Sequence, residues 1–127
     1  MTEFVVDASA VLAVLRREPG HEVARPFLRD GRISAVNFSE VVAKADEVGI
    51  KAATTVSILD GLGVMRVPFD DHYALLTASL RPLTRNLGLS LADRACLALA
   101  MDAGIPVLTS DRRWKDTGLD VEVRLFR

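Results

Sequence analysis

The stretch EFVVDASAVLAVLRR, residues 3–17, decides the fold class. It begins with a short apolar run that ends at Asp7, which is typical of a buried strand in a parallel sheet. Residues 9–17 are mostly apolar and helix-forming, and Pro19-Gly20 stops them, which predicts a helix. A buried strand that leads directly into a helix is the first half of a β-α-β unit.

The rest of the chain repeats this alternation of strand and helix. We predict further strands at 32–36, 64–67, 105–109 and 121–125, and helices at 21–29, 37–48, 51–62, 70–88 and 90–104. Asn37 is the predicted N-cap of the third helix, with Glu40 in the reciprocal position of a capping box. Ser90 is the predicted N-cap of the last helix. The alternation predicts a doubly wound α/β sandwich of three layers with a mainly parallel central sheet.

Composition narrows the class of protein further. With 127 residues, 50% of them apolar, we expect one domain over residues 1–127. No run approaches the ~20 apolar residues of a membrane span. The first residues lack the basic region and cleavage site of a signal peptide, so we expect a cytoplasmic protein. Cys96 is the single cysteine, and we interpret it as a small buried side chain. The net charge of −1 provides no global basic field.

Four acidic residues are predicted to lie at one edge of the sheet. Asp7 follows the first strand and Asp111 follows the strand at 105–109, while Glu40 and Asp93 lie in the first turns of two helices. In open parallel sheets, ligands bind beyond the carboxyl ends of the strands. Each acid taken alone could instead be a turn residue or could favour the helix dipole. Their occurrence at the same edge favours a functional cluster.

A cluster of carboxylates needs a cation. Two carboxylates ~4 Å apart repel by about 4 kcal/mol at an effective dielectric of 20. All-oxygen sites suit Mg²⁺ or Mn²⁺. Zinc is not expected, because His21 and His72 lie in separate segments and Cys96 is the only sulfur ligand of the zinc-binding kind. Since Mg²⁺ sites bind phosphate and activate water, the cluster predicts hydrolysis of phosphodiester bonds.

Four segments carry a resemblance to a known family. They are Val6-Asp7-Ala8-Ser9, Asn37-Phe38-Ser39-Glu40, Ser90-Leu91-Ala92-Asp93 and Leu108-Thr109-Ser110-Asp111-Arg112-Arg113-Trp114. In order and spacing they resemble the PIN domain, and within it the VapC-type toxin ribonucleases. The resemblance covers essentially the whole chain and implies a PIN-like α/β/α sandwich.

The resemblance also implies roles for individual residues. It makes Asp7, Glu40, Asp93 and Asp111 the catalytic acids. Asp7 and Asp93 would be the principal metal ligands, and Asp111 and Glu40 would complete the shell directly or through water. Ser9 and Thr109 match small hydroxyl positions that orient the acids. The implied activity is Mg²⁺-dependent cleavage of RNA, and the implied partners are a VapB-like antitoxin that blocks the acidic site and a second copy of the chain.

Several alternatives stay open at this point. Arg112 and Arg113 are candidates for contact with substrate phosphate, or are simply solvated. Trp114 could stack on a base or anchor the segment after the strand, and Asp116 could be an outer group of the site. Asp102, about 13 Å along its helix from Asp93, is interpreted as surface. The rival function is a catalytically idle PIN-like module that binds RNA or protein.

Overall fold

The structure, a computed structural model, describes residues 3–127. The strands are β1 (Val5–Val6), β2 (Arg32–Ser34), β3 (Met65–Val67), β4 (Val107–Thr109) and β5 (Val123–Leu125). The helices are α1 (Ala8–Arg16), α2 (His21–Leu28), α3 (Ala35–Glu47), α4 (Ala52–Leu62), α5 (Asp71–Ser79), α6 (Arg81–Thr84) and α7 (Leu91–Ala103). Short 3-10 helices lie at Arg85–Leu87 and Arg112–Asp116. No helix within residues 3–127 is long and apolar enough to cross a membrane.

The strands form one parallel sheet in the order β3-β2-β1-β4-β5. The chain therefore starts at the central strand, winds outward to β3, and then returns to the other side of β1. This arrangement confirms the predicted doubly wound, three-layer α/β/α sandwich. The order reverses between β1 and β4, and such a switch point is where ligands bind in open parallel sheets.

The two residues of β1 hold the layers together, because successive side chains of a strand point to opposite faces. Val6 is fully buried and packs in one core cluster with Val11 of α1. Val5 is also fully buried and belongs to a second cluster with Leu97 of α7 and Trp114. Because both faces of this central strand are covered, each of its residues must be apolar, and the strand appears in the sequence as a continuous apolar run.

The helix predicted over 70–88 is broken, and this prediction was wrong. Helix α5 ends at Ser79, α6 begins at Arg81 with Pro82 in its first turn, and a 3-10 helix completes the segment. Proline has no N–H and its ring clashes with the carbonyl group four residues earlier, so Pro82 disfavours one continuous helix over this segment, although α2 accommodates Pro26.

The predicted cap of α3 was also wrong. The helix begins at Ala35, and its N-cap is Ser34, whose Oγ accepts a hydrogen bond from the Val36 N–H at 3.2 Å. Asn37 lies inside the helix and is fully buried, so its side chain is not available to cap. By contrast, Ser90 caps α7 as predicted and forms a full capping box with Asp93.

Candidate active site

Asp7 and the end of β4 meet at the switch point of the sheet. β1 and β4 are paired neighbours, with Val6 opposite Leu108, and the Asp7 N–H donates to the Leu108 carbonyl at 3.0 Å. Asp7 is also the N-cap of α1, and its Oδ1 accepts from the Ala8 N–H at 2.8 Å. Its position is therefore fixed by both the strand and the helix.

Two hydroxyl groups hold the other oxygen of Asp7. Ser9 Oγ donates to Asp7 Oδ2 at 2.8 Å, and Thr109 Oγ1 donates to the same atom at 2.9 Å. Each hydroxyl also accepts a backbone N–H: that of Ser110 reaches Ser9 at 3.2 Å, and that of Asp111 reaches Thr109 at 3.0 Å. Since the backbone supplies a donor to each hydroxyl, the single hydroxyl proton points to Asp7. The structure thus brings Ser9 and Thr109 to the acid that the resemblance assigned them to orient.

The surroundings of the Asp7 carboxyl group disfavour its charged form. Burial, with only 7% of the residue exposed, raises its pKa from 3.8 to about 6. Hydrogen bonds from Ser9, Thr109 and Ala8 oppose this change in pKa, and the charge of Asp93 adds to it. A nearby cation would favour the charged form and lower the pKa again.

Asp7, Glu40 and Asp93 line one cavity of about 250 Å³, which we call the acidic cavity. The three carboxylates also act together on Cys96, which is fully buried: desolvation comes first, but the charges of all three contribute to raising the pKa of its thiol. The structure therefore brings together three of the four acids predicted from the sequence, which lie on separate segments of the chain.

Asn37 connects the helices that carry Glu40 and Asp93. Its Nδ2 donates to the carbonyl of Ala92, one residue before Asp93, at 3.1 Å. Asn37 lies three positions before Glu40, so both side chains project from the same side of α3. The Oδ1 of Asn37 has no hydrogen-bond partner among residues 3–127. The sequence interpretation missed this role because it used Asn37 as a cap.

Asp111 is not among the residues that line the acidic cavity, and it has a cationic partner of its own. Arg113 forms a bidentate ion pair with it, with Nη2 2.6 Å from Asp111 Oδ2 and Nε 3.0 Å from Oδ1. The hydrogen bond from Arg113 holds the pKa of Asp111 below its usual range. The same Nη2 lies 3.7 Å from Asp93 Oδ2, so the guanidinium supplies positive charge to two of the predicted acids. Arg112 is exposed like Arg113 but forms no ion pair with the described residues.

The chemistry of the donors suits a hard divalent cation, although the ligands do not converge fully. Glu40 and Asp93 Oδ1 accept no hydrogen bond from the described residues, and Asp7 Oδ1 accepts one, so each has lone pairs for a cation. No three His, Cys, Asp or Glu side chains within residues 3–127 are grouped closely enough to hold a metal ion. The fourth predicted carboxylate, Asp111, is paired with Arg113 and so does not add a free ligand to this group.

Charged residues around the acidic cavity were not identified from the sequence. The lining also includes Arg16, Glu18, Lys44 and Arg127, and Glu18 lies 3.4 Å from both Arg16 and Arg127. The spacing of four residues between Glu40 and Lys44 on one helix was a usable signal. Arg127 could not be found in this way, because only the fold brings the end of the chain to α1.

The structure places Trp114 and Asp116, whose roles the sequence left open, and Asp102, which was interpreted as surface and is exposed. Trp114 is 1% exposed and packs in the second core cluster, so it anchors its segment and cannot stack on a base. Asp102 accepts hydrogen bonds from Tyr73 at 3.0 Å and contacts His72 at 3.1 Å, which ties α7 to α5. Asp116 is exposed.

The fold agrees with the comparisons with known proteins. The PIN domain family model matches residues 4–119, so the chain belongs to the PIN domain family. No curated protein sequence in the comparison matches the chain.

Solved structures with the same fold include chains of toxin–antitoxin complexes. A chain of the DNA-bound VapBC complex from Salmonella typhimurium has a TM-score of 0.76 and 17% identity, and each chain is covered over 100% of its length. A chain of the toxin–antitoxin complex from Klebsiella pneumoniae has a TM-score of 0.78 and 17% identity, with 98% of each chain covered. VapBC-5 from Mycobacterium tuberculosis has a TM-score of 0.64 and 20% identity, covering 100% of this chain and 99% of that one. At these identities the likeness establishes the fold.

Proposed function

We propose that this PIN domain is a metal-dependent endoribonuclease and the toxin of a VapC-type toxin–antitoxin pair. The observation that carries the proposal is the acidic cavity, in which Asp7, Glu40 and Asp93 meet at the switch point of the sheet. Burial and the charge of Asp93 both raise the pKa of Asp7, so the charged form of Asp7 destabilises the folded protein. A site that holds a cation and phosphate gives this arrangement a function.

Asp7, Asp93 and Asp111 are the residues that would hold Mg²⁺, with Mn²⁺ as a substitute. Such an ion would stabilise negative charge on phosphate oxygens and lower the pKa of water. Asp111 can take part only after its ion pair with Arg113 opens.

The chain's own residues contribute orientation and proton transfer. The hydroxyls of Ser9 and Thr109 fix the plane of the Asp7 carboxylate, so little reorganisation is needed when substrate binds. Glu40 accepts no hydrogen bond from the described residues and is the carboxylate free to take a proton from the attacking water. Arg112 is exposed beside Asp111 and suits contact with a substrate phosphate.

Cleavage of a labelled RNA by the full chain tests the proposal. We expect cleavage with millimolar Mg²⁺ or Mn²⁺ and none with a chelator, and Asp7→Asn should abolish it while the variant remains folded. The rival hypothesis of an idle module that binds RNA or protein is favoured by the ion pair between Arg113 and Asp111, which already neutralises part of the site. If the wild type binds RNA but cleaves it neither with Mg²⁺ nor with Mn²⁺, the idle module is the correct hypothesis.

We also propose an antitoxin as the partner that closes the acidic cavity. Complexes named VapBC provide the solved structures with this fold, and a carboxylate site is complementary to an arginine fork. An antitoxin segment with Arg or Lys should therefore enter the acidic cavity and compete with metal. A structure of the complex with this cavity open and the partner bound elsewhere would contradict this part of the proposal.

A homodimer is the second proposed assembly. Leu75 is 74% exposed on α5 and Leu83 is 60% exposed on α6, and large exposed apolar side chains are suited to a subunit contact. Light scattering of the wild type and of Leu83→Glu would test it, because a charge at the contact should shift the mass toward the monomer.

A further inference from the structure

A second cavity is lined by cationic rather than acidic residues. One of them, Arg94, directly follows Asp93 of the acidic cavity in the sequence. The second cavity has a volume of about 220 Å³, several times the ~30 Å³ that one water occupies in the liquid. We call it the arginine cavity. Its lining consists of Arg81, Thr84, Arg85, Gly88, Leu89 and Arg94.

The arginines of this cavity have no acidic partners. None of the salt bridges within residues 3–127 involves Arg81, Arg85 or Arg94. Three guanidinium groups around one space repel one another, and nothing in the described lining offsets that repulsion. An anion would.

Arg94 is the residue that makes this a built site rather than a group of surface charges. It is only 6% exposed, and a guanidinium stays charged at any ordinary pH. Of its five N–H donors, the described residues satisfy one, through a 3.4 Å contact from Nη1 to the Thr77 carbonyl. Its Nε is buried with no hydrogen-bond partner among the described residues. A buried charge is normally paired, because leaving it unpaired destabilises the fold.

The arginine cavity is connected to the candidate active site through the chain. Arg94 follows Asp93 directly on α7, so their Cα atoms are ~3.8 Å apart, and the turn of the helix points the two side chains in different directions. Arg113, which pairs with Asp111, also donates to the carbonyl of Leu87 at 3.0 Å, immediately before Gly88 of the lining. Residues that are adjacent in the sequence, Asp93 and Arg94, therefore line the two cavities.

We infer that the arginine cavity binds a backbone phosphate of the RNA on one side of the cleaved bond. The inference rests on the proposed ribonuclease function and assigns a place where its substrate is held. Four acids line the acidic cavity, and two of the three cations beside them, Arg16 and Arg127, are paired with Glu18. The net charge of −1 provides no general attraction for a polyanion. Unpaired arginines near the acids would therefore strengthen RNA binding, because arginine forks match phosphate oxygens.

The test measures RNA binding by fluorescence anisotropy, with the full chain, a chelator, and a labelled single-stranded RNA of mixed sequence over a range of salt concentrations. The main variant is Arg81→Ala/Arg85→Ala, because both side chains are exposed and their loss should not unfold the protein. Arg94→Lys keeps the buried charge but loses the fork. Arg25→Ala, an exposed arginine on α2, is the matched control.

We expect the double variant to bind RNA about tenfold more weakly, as for the loss of charged hydrogen bonds. Its slope of log Kd against log salt should fall by about 0.7, the change expected for the loss of one phosphate contact on a single strand. Arg94→Lys should also bind more weakly, and Arg25→Ala should match the wild type.

If the wild type binds and cleaves RNA but the double variant binds like Arg25→Ala, the inference is wrong and the proposed function stands. If the wild type neither binds nor cleaves RNA, both are wrong. If the double variant keeps its RNA affinity but loses affinity for the antitoxin, the cavity takes a carboxylate of the partner protein, and the inference is again overturned.

Discussion

Replacing Asp7 by asparagine should change how the stability of the protein depends on pH. The pKa of Asp7 is raised from 3.8 to about 6, so ionisation of this carboxyl destabilises the folded state relative to the unfolded chain. This destabilisation is absent at low pH, where Asp7 is protonated in both the folded and the unfolded state. It begins near pH 4, where the unfolded chain ionises, and it is complete above pH 6, where the folded protein ionises as well. The full difference of about 2.2 pKa units corresponds to about 3 kcal/mol, of which about 2.5 kcal/mol develops between pH 4 and pH 8.

The Asp7→Asn variant carries an amide that does not titrate, so it escapes this cost. It loses at least one hydrogen bond, because an NH₂ group replaces an oxygen that accepts from Ser9 and Thr109 or from Ala8. That loss, about 1–3 kcal/mol, is the same at every pH. The variant should therefore gain about 2.5 kcal/mol on the wild type between pH 4 and pH 8, whatever its absolute stability.

Urea denaturation in the presence of a chelator, at several pH values from 4 to 8, measures this difference. Asp102→Asn is the control: hydrogen bonds from His72 and Tyr73 lower the pKa of Asp102 below 3.8, so this carboxyl is ionised in both the folded and the unfolded state over most of the range. The stability difference between that variant and the wild type should therefore change little between pH 5 and pH 8. A difference between Asp7→Asn and the wild type that stays constant with pH to within about 0.5 kcal/mol would refute the reasoning on burial.

The remaining predictions concern the acids, the cation and the helix contact. Asp93→Asn and Glu40→Gln should each lower RNA cleavage by about 100-fold or more, while Asp102→Asn should cleave like the wild type; equal activity of all three variants would contradict the assignment. Mg²⁺ at ~100 times its Kd should stabilise the fold by about 2.7 kcal/mol. Arg113→Gln should enlarge the Mg²⁺-induced rise in melting temperature, because it removes the competing guanidinium; a smaller rise would show that Arg113 does not compete. Asn37→Ala should preserve the melting temperature to within a few degrees but lower kcat with little change in KM, and an unchanged kcat would remove Asn37 from any positioning role.

The sheet could be predicted from the sequence because its strands are buried on both faces. Val5 and Val6 need opposite layers of helices, and this requirement alone indicates a parallel sheet covered twice. The break at Pro82 was visible in the sequence as well, and the prediction of one helix over 70–88 gave too little weight to the ring of proline.

The sequence could predict only those site residues whose place follows directly from their position next to a strand. Asp7 follows its strand directly, and the switch in strand order brings it next to β4. The ion pair of Arg113 with Asp111 depends on rotamers in a 3-10 helix, which no periodic pattern announces. The arginine cavity was missed because Arg81 and Arg94 are 13 positions apart in the sequence, and only the folded chain brings them to one cavity.

Asn37 shows why local rules fail where a fold serves a site. By propensity, Asn37 with Glu40 three residues later is a good helix start, yet the helix begins earlier and Asn37 is buried against Ala92 with its Oδ1 unpartnered among the described residues. An apolar residue there would avoid the cost of burying that oxygen, about 1–3 kcal/mol, and Ala92 would keep its helical hydrogen bond. Stability therefore does not explain the asparagine. The contact does fix α3 against the first turn of α7, and hence the distance between Glu40 and Asp93, which a catalytic pair requires to within a fraction of an ångström.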